Sequence, residues 1–175
     1  AARYAAQLKR TRAAYEKAFV KKDGAMKDDY QGAYVMALSY VLEPGALWDK
    51  AFERLVGKLK SEGMRTGFFA TALLLPLLAD HGQETLAVDL LLQEECPGWM
   101  YQVKRGATTI WERWDAERPD GTVNESSQNG SNMVSFNHYA FGAVGRFYYE
   151  YVLGIRPSAP GFARVRVAPV CDRRL

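Results

Sequence analysis

The chain has 175 residues, with 23 basic against 20 acidic side chains for a net charge of +3, and 48% of its residues are hydrophobic and 13% aromatic. That is ample material for the packed core of one domain, or of part of a larger one. It speaks against a membrane protein, because no apolar stretch reaches spanning length. It also speaks against a nucleic-acid binder, because no such motif accompanies the small basic excess.

Residues 1–22 read as an amphipathic helix. Tyr4, Leu8, Tyr15 and Phe19 recur at helical spacing on one side. Arg3, Lys9, Arg10, Arg12, Lys17, Lys21 and Lys22 stand against the single Glu16, so the charge reads as a solvated helix face. Asp23-Gly24 stops the helix. A second helix is expected over 31–42, apolar nearly all round, and Pro44-Gly45 ends that region. A third spans 47–61, with Leu47, Ala51, Phe52, Leu55 and Leu59 on one face. A fourth, over 68–79, is again apolar all round, with Pro76 expected to kink it. After the His81-Gly82 turn comes a fifth, amphipathic helix over 83–93, with Glu84 near its positive end.

Helices apolar on all sides are buried on all sides. Their alternation with charged-face helices suits a two-layer ring of helices. An α-solenoid would alternate similarly, but no fixed-period repeat is visible. We expect 31–42 and 68–79 to be more buried than their neighbours.

Residues 96–105 read as short and irregular. Residues 107–114 are rich in β-branched and aromatic types and read as extended. The polar, Gly-, Asn- and Ser-rich stretch 115–132 reads as a surface loop. Helical pattern returns at about 137–152, and Gly154 closes it. Pro157 and Pro160 read as a linker, and 162–168 as one half-buried strand without a partner in the chain. The chain opens mid-pattern without Met and stops just after that strand, so both ends are expected to be internal to a longer polypeptide. Cys96 and Cys171 read as free thiols in a reducing cytoplasm, and nothing resembles a signal peptide. We therefore expect cytoplasm rather than secretion. No metal-ligand cluster is visible, and no cofactor is expected.

The stretch Gly106-Ala107-Thr108-Thr109-Ile110-Trp111-Glu112-Arg113-Trp114-Asp115 sets a carboxylate between two tryptophans. If extended, it would put Ile110, Glu112 and Trp114 on one face. A carboxylate beside apolar rings is desolvated, which suits a general base. The alternative is a structural Glu paired with Arg113 or another Arg. Further on, Asn132-Met133-Val134-Ser135-Phe136-Asn137-His138-Tyr139-Ala140-Phe141-Gly142 offers Ser135 or Asn137 as a helix cap. His138 would then sit in the first helical turn, as a packing residue or at the rim of a pocket.

Together these two stretches resemble the bacterial α-L-rhamnosidase family of glycoside hydrolases. Shorter pieces agree in order: Gln31-Gly32-Ala33-Tyr34-Val35-Met36-Ala37-Leu38, Thr66-Gly67-Phe68, Leu74-Leu75-Pro76-Leu77-Leu78, Asp89-Leu90-Leu91-Leu92 and Pro160-Gly161-Phe162. The resemblance implies an all-α chain, the second half of an (α/α)6 toroid. It would occupy 1–154, with 155–175 as linker and first strand of a truncated C-terminal β-sandwich. It implies cleavage of terminal α-L-rhamnose with inversion, Glu112 as general base and His138 as sugar ligand, with Trp111 and Trp114 shaping the substrate site.

The departure is the general acid. The family carries it in a motif resembling Asp-Cys-Pro-Gln-Arg-x-Glu-Arg, which this chain lacks. Glu95-Cys96-Pro97-Gly98 shares two letters of it and is read as chance, and Glu117 and Glu125 fall on the polar loop. The expected partners are therefore a rhamnose-containing glycoside or oligosaccharide and the missing N-terminal half of the same enzyme. The open ring also suggests a homo-oligomer for the chain alone, and no hydrolase activity of its own. The rival readings are an inverting (α/α)6 glycosidase acting on another sugar, and a non-catalytic helical interaction module.

Overall fold

The computed structural model describes residues 2–125 and 134–175. Asn132 and Met133, and the part of the polar loop from 126 onward, lie outside the described residues. The chain divides into two compact units, residues 1–73 and 74–175.

In the first unit, α1 (Ala2–Phe19) ends in a turn where Val20 and Met26 pair as an isolated antiparallel bridge. Gly24 makes that turn with φ +80°, and a Cβ there would lie 2.7 Å from the Lys50 and Ala51 backbone. Only glycine combines that conformation with so close an approach. α2 (Gln31–Tyr40) packs on α3 (Ala46–Glu62). Their shared core holds Tyr34, Val35, Ala37 and Leu38 against Trp48, Ala51, Phe52, Leu55 and Leu59. Trp48 stacks on Phe52 and donates its Nε1–H to the Leu38 carbonyl at 3.1 Å. Gln31, buried at the start of α2, donates to the Gly63 carbonyl at 2.8 Å and accepts from the Arg65 amide at 2.7 Å. Its amide group thereby satisfies backbone that the end of α3 leaves without helical partners.

No residue of α1 is buried. Its expected apolar stripe lies open, with Tyr4 73% and Leu8 49% exposed.

α4 (Phe68–Asp80) runs unbroken through Pro76. In the second unit its Leu74, Leu75, Leu77 and Leu78 are buried, as the all-round apolar pattern requires. α5 (Glu84–Leu91) is set deeper than its pattern suggests: Leu86, Ala87, Val88, Leu90 and Leu91 are buried, leaving Glu84, Thr85 and Asp89 to solvent. α6 (Trp99–Lys104) occupies part of 96–105, which was expected to be irregular. It is six residues long, too short to show a period.

The last helical segment is continuous but changes pitch. A 3-10 turn at Ala140–Ala143 passes into α7 (Val144–Phe147) and a wider π turn at Tyr148–Val152. Beyond it, β1 (Ile155–Pro157) pairs antiparallel with β2 (Val165–Val167), placing Ile155 opposite Val167 and Pro157 opposite Val165. The strand expected to be half-buried and unpartnered is thus paired and fully exposed. Proline hid its partner, since a proline-marked stretch reads as linker; at the edge of a two-stranded ribbon its missing N–H is tolerated. Gly154, with φ +69°, lets the returning chain cross at Ala168, where a Cβ would sit 2.2 Å from the backbone. Tyr151 fastens the same region: its hydroxyl donates to Asp80 at 2.7 Å, and the Arg156 guanidinium lies 3.7 Å over its ring.

Tyr34 yields a testable consequence. Burial, and then the Asp29 carboxylate that accepts its proton, push its phenol up to about 12 from an ordinary 10.0. The unfolded phenol therefore ionises first. The stability Tyr34 contributes is complete below pH 10.0 and is lost as the pH rises through about 12. Thermal melts of Tyr34→Phe should lie below wild type at neutral pH and fall less steeply through that alkaline window.

Candidate active site

The two motif stretches, 23 positions apart, come together by backbone. Glu112 donates its amide to the Ser135 carbonyl at 2.9 Å, and the Ser135 amide donates to Glu112 Oε2 at 2.8 Å. The His138 amide donates to the Ile110 carbonyl at 2.8 Å, and Thr109 Oγ1 donates to the Phe136 carbonyl. Residues 107–114 are nonetheless not a strand but a run of bends. The expected extended face is absent: Trp114 is buried, while Ile110 and Glu112 are half-exposed. Of the residues that suggested a strand, Trp111 and Trp114 pack on rings instead, and Thr108 and Thr109 are exposed.

Trp99 of α6 meets Trp114 edge-on, with ring centroids 5.1 Å apart, and Trp114 stacks on Phe141 at 3.8 Å. Trp99 also donates its indole N–H to the Phe141 carbonyl at 2.9 Å. Trp111 is buried and meets Phe136 edge-on at 5.3 Å. Three separate pieces of chain are thus pinned by rings. Such contacts are worth about 0.5–1.5 kcal/mol each beyond the area they bury.

Glu112 stands above this layer. The desolvated sleeve expected of its tryptophan neighbours is not what they form, because both rings turn into the core and the carboxylate stays half-exposed. Arg113, the salt-bridge partner considered for it, bonds Asp115 at 3.2 Å. One carboxylate oxygen is thus fixed by a backbone amide on a group that water reaches, an arrangement able to orient a proton acceptor.

His138 precedes the helical segment rather than lying in its first turn. Its Nδ1 accepts the Ala140 amide at 3.3 Å, so the histidine makes the local cap, while Ser135 Oγ accepts the Asn137 amide at 3.2 Å. With Nδ1 accepting, the neutral ring carries its proton on Nε2, a hydrogen-bond donor. Tyr139, 87% exposed, stacks its ring on the imidazole with centroids 5.0 Å apart.

The polar loop is tied down beside the site. Buried Asn124 donates to Asp115 at 2.6 Å and accepts from Arg118 at 2.9 Å. Glu117 accepts from Arg105 at 2.7 Å, and the Tyr101 hydroxyl donates to the Glu117 carbonyl at 2.7 Å. Glu117 is thereby engaged in structure, and Glu125 is exposed. A cleft of about 230 Å³ opens beside Thr109 and Ile110, walled by Trp99 and Val103. Burial raises the Cys96 thiol, with Asp115 adding to it, and both cysteines are free. Among the described residues, no group of three His, Cys, Asp or Glu side chains is placed to hold a metal ion. No helix among them is long and apolar enough to cross a membrane.

Sequence reasoning missed Phe141 and Trp99, and gave Ser135 only the part of a helix cap. Trp99 had a signal, being one of only four tryptophans in the chain, but it stood in a stretch set aside as irregular. Trp114→Ala should remove the centre of the ring stack and cost about 3–5 kcal/mol. Urea unfolding followed by far-UV circular dichroism checks this, and a loss under 1 kcal/mol would show that the rings do not hold the site together.

Comparison with known proteins agrees over nearly the whole chain. The model of the bacterial alpha-L-rhamnosidase 6 hairpin glycosidase domain matches residues 1–152. An alpha-L-rhamnosidase of Streptomyces avermitilis is 42% identical over 171 residues, covering 97% of this chain and 16% of that protein. The crystal structure of the Streptomyces avermitilis alpha-L-rhamnosidase complexed with L-rhamnose superposes with a TM-score of 0.89 at 41% identity, over 97% of this chain and 16% of that one. The native enzyme from Aspergillus terreus gives 0.88 at 34% identity, over 98% and 20%. The chain therefore spans less than a quarter of the length of these relatives.

Proposed function

Because the chain belongs to the bacterial α-L-rhamnosidase six-hairpin glycosidase family, we propose that it is the base-bearing part of an enzyme that hydrolyses terminal α-L-rhamnosyl residues from glycosides with inversion. Glu112 is the general base. It takes a proton from a water molecule as that water attacks the anomeric carbon from the face opposite the departing aglycone. The observation that carries this role is a half-exposed carboxylate whose Oε2 is held by the Ser135 amide at 2.8 Å. The second oxygen is then available to water in a defined direction.

His138 binds the sugar. Its Nδ1 is engaged with the Ala140 amide, and a neutral ring in that tautomer carries an Nε2–H, a donor of the kind that recognises a hydroxyl. Trp111 and Trp114 shape the site from beneath, with little surface of their own to offer a ligand.

Inversion needs a second carboxyl, about 6.5–9.5 Å away, to protonate the leaving oxygen. Glu117 is engaged with Arg105, so the acid is assigned to the rest of the polypeptide. On this reading residues 1–154 are part of the helical catalytic domain, and 155–175 begin the domain that follows. The bare stripe of α1 suits a contact with the remaining helices. The isolated chain, holding one of two catalytic carboxyls, should not turn over an aryl α-L-rhamnoside.

In the full-length enzyme, Glu112→Gln should lower kcat by about 10²–10⁴-fold, the usual contribution of a positioned acid or base, with an unchanged circular dichroism spectrum. Near-normal turnover would remove Glu112 from the mechanism. His138→Ala should act mainly on KM; a loss in kcat equal to that of Glu112→Gln, at constant KM, would instead give His138 a chemical role.

A further inference from the structure

The reciprocal pair between Glu112 and Ser135 does more than join two loops. Of the two bonds, the Glu112 amide to the Ser135 carbonyl, 2.9 Å, is structural. The Ser135 amide to Glu112 Oε2, 2.8 Å, reaches the proposed reacting group itself. The geometry points to Ser135 as a positioning residue that acts through its backbone N–H: it claims one carboxylate oxygen and so assigns proton acceptance to the other, Oε1. This rests on the reading of Glu112 as base and adds to it which oxygen works and what aims it.

Several features make the amide a rigid donor. Phe136, next in the chain, is held edge-on to buried Trp111, and its carbonyl accepts the Thr109 hydroxyl. Ser135 Oγ accepts the Asn137 amide at 3.2 Å, closing the turn. The His138 amide is fixed to the Ile110 carbonyl at 2.8 Å. A donor fixed by rings and backbone does not reorganise as the carboxylate changes charge, which is the condition for preorganised catalysis. An unheld Glu would rotate about its χ angles, and misplacing a reacting group by about 1 Å can cost a hundredfold in rate. The same backbone stretch carries His138, so the sugar ligand and the aimed oxygen share one support.

Two measurements test this. In the full-length enzyme, lactic acid incorporated at position 135 replaces the 134–135 amide by an ester and deletes the N–H. Its control is Ser135→Ala, which has the same side chain. Both variants lack the Oγ–Asn137 bond, so the comparison isolates the N–H: the ester should have a kcat about tenfold or more below that of Ser135→Ala at a KM within about twofold of it, the split expected when orientation rather than binding is lost. Equal kcat for ester and control would overturn the proposal. So would an ester that loses kcat, KM and melting temperature together, since that marks a structural role.

In a Glu112→Ala background, where azide can replace the activated water, the ester should have no further effect on azide-rescued turnover, because Ser135 acts only through the carboxylate. An additive loss would overturn it. If Glu112→Gln is itself silent, the general-base reading fails whatever the ester does; if Glu112→Gln is inactive and the ester silent, only the present inference fails. Should the ester not yield folded protein, hydrogen exchange on the full-length enzyme decides. The Ser135 amide should be protected in wild type and exposed in Glu112→Ala. A rapidly exchanging amide in wild type would sink the proposal.

Discussion

Trp99, Trp114 and Phe141 come from three separate stretches of chain and meet edge-on and face-on within 5.1 Å. Every other feature of the candidate site depends on that meeting. Trp114 follows Glu112 by two residues and Phe141 follows His138 by three. Stacking the two rings therefore draws the two functional side chains' backbones alongside each other. The backbone hydrogen bonds between 109–112 and 135–138 then fix their register. Alone, such bonds would contribute only about 0.5–1.5 kcal/mol each. With the rings excluding water beneath them, they become the rigid upper surface of a small apolar layer.

A division of labour follows in the aromatic content. The rings of this chain divide between interior and surface, and all four tryptophans fill the interior. The tryptophans nearest the carboxylate belong to that group. Their contribution to the candidate site is mechanical: they take the two loops out of the conformational freedom that irregular backbone otherwise has. The groups left at the surface include a carboxylate with one oxygen held by an amide and an imidazole stacked on the exposed Tyr139 ring.

Much of the helical order was legible, because 3.6-residue periodicity survives wherever a helix is long enough to display it. α1 to α5 lie within a few residues of their expected ranges. α6 was not legible, being six residues behind Pro97 and Gly98. The stretch 107–114 misled, because aromatic residues suit ring packing as well as a pleated strand. β1 was hidden by Pro157, which reads as a break and functions as an edge residue. Glu112 and His138 stood out by residue type and by family motif. Ser135 could not: a backbone N–H belongs to every residue but proline, and only three-dimensional proximity singles one out. The cap at residue 140 was misassigned for a related reason, since an imidazole nitrogen took the part that serine or asparagine usually plays.

The pairing of residues 23 positions apart also closes a loop that is anchored at its start by Trp114 and Asn124. The entropy of closing such a loop grows only logarithmically, by about 0.6 kcal/mol for each doubling of its length. Insertions that spare Trp114, Ala116 and Asn124 are therefore cheap in chain entropy and leave the carboxylate where it is. Over evolutionary time, the border of the site can be lengthened, shortened or recharged while the group beneath it stays in register. A scaffold of this kind tolerates change at its rim and holds the carboxylate in place.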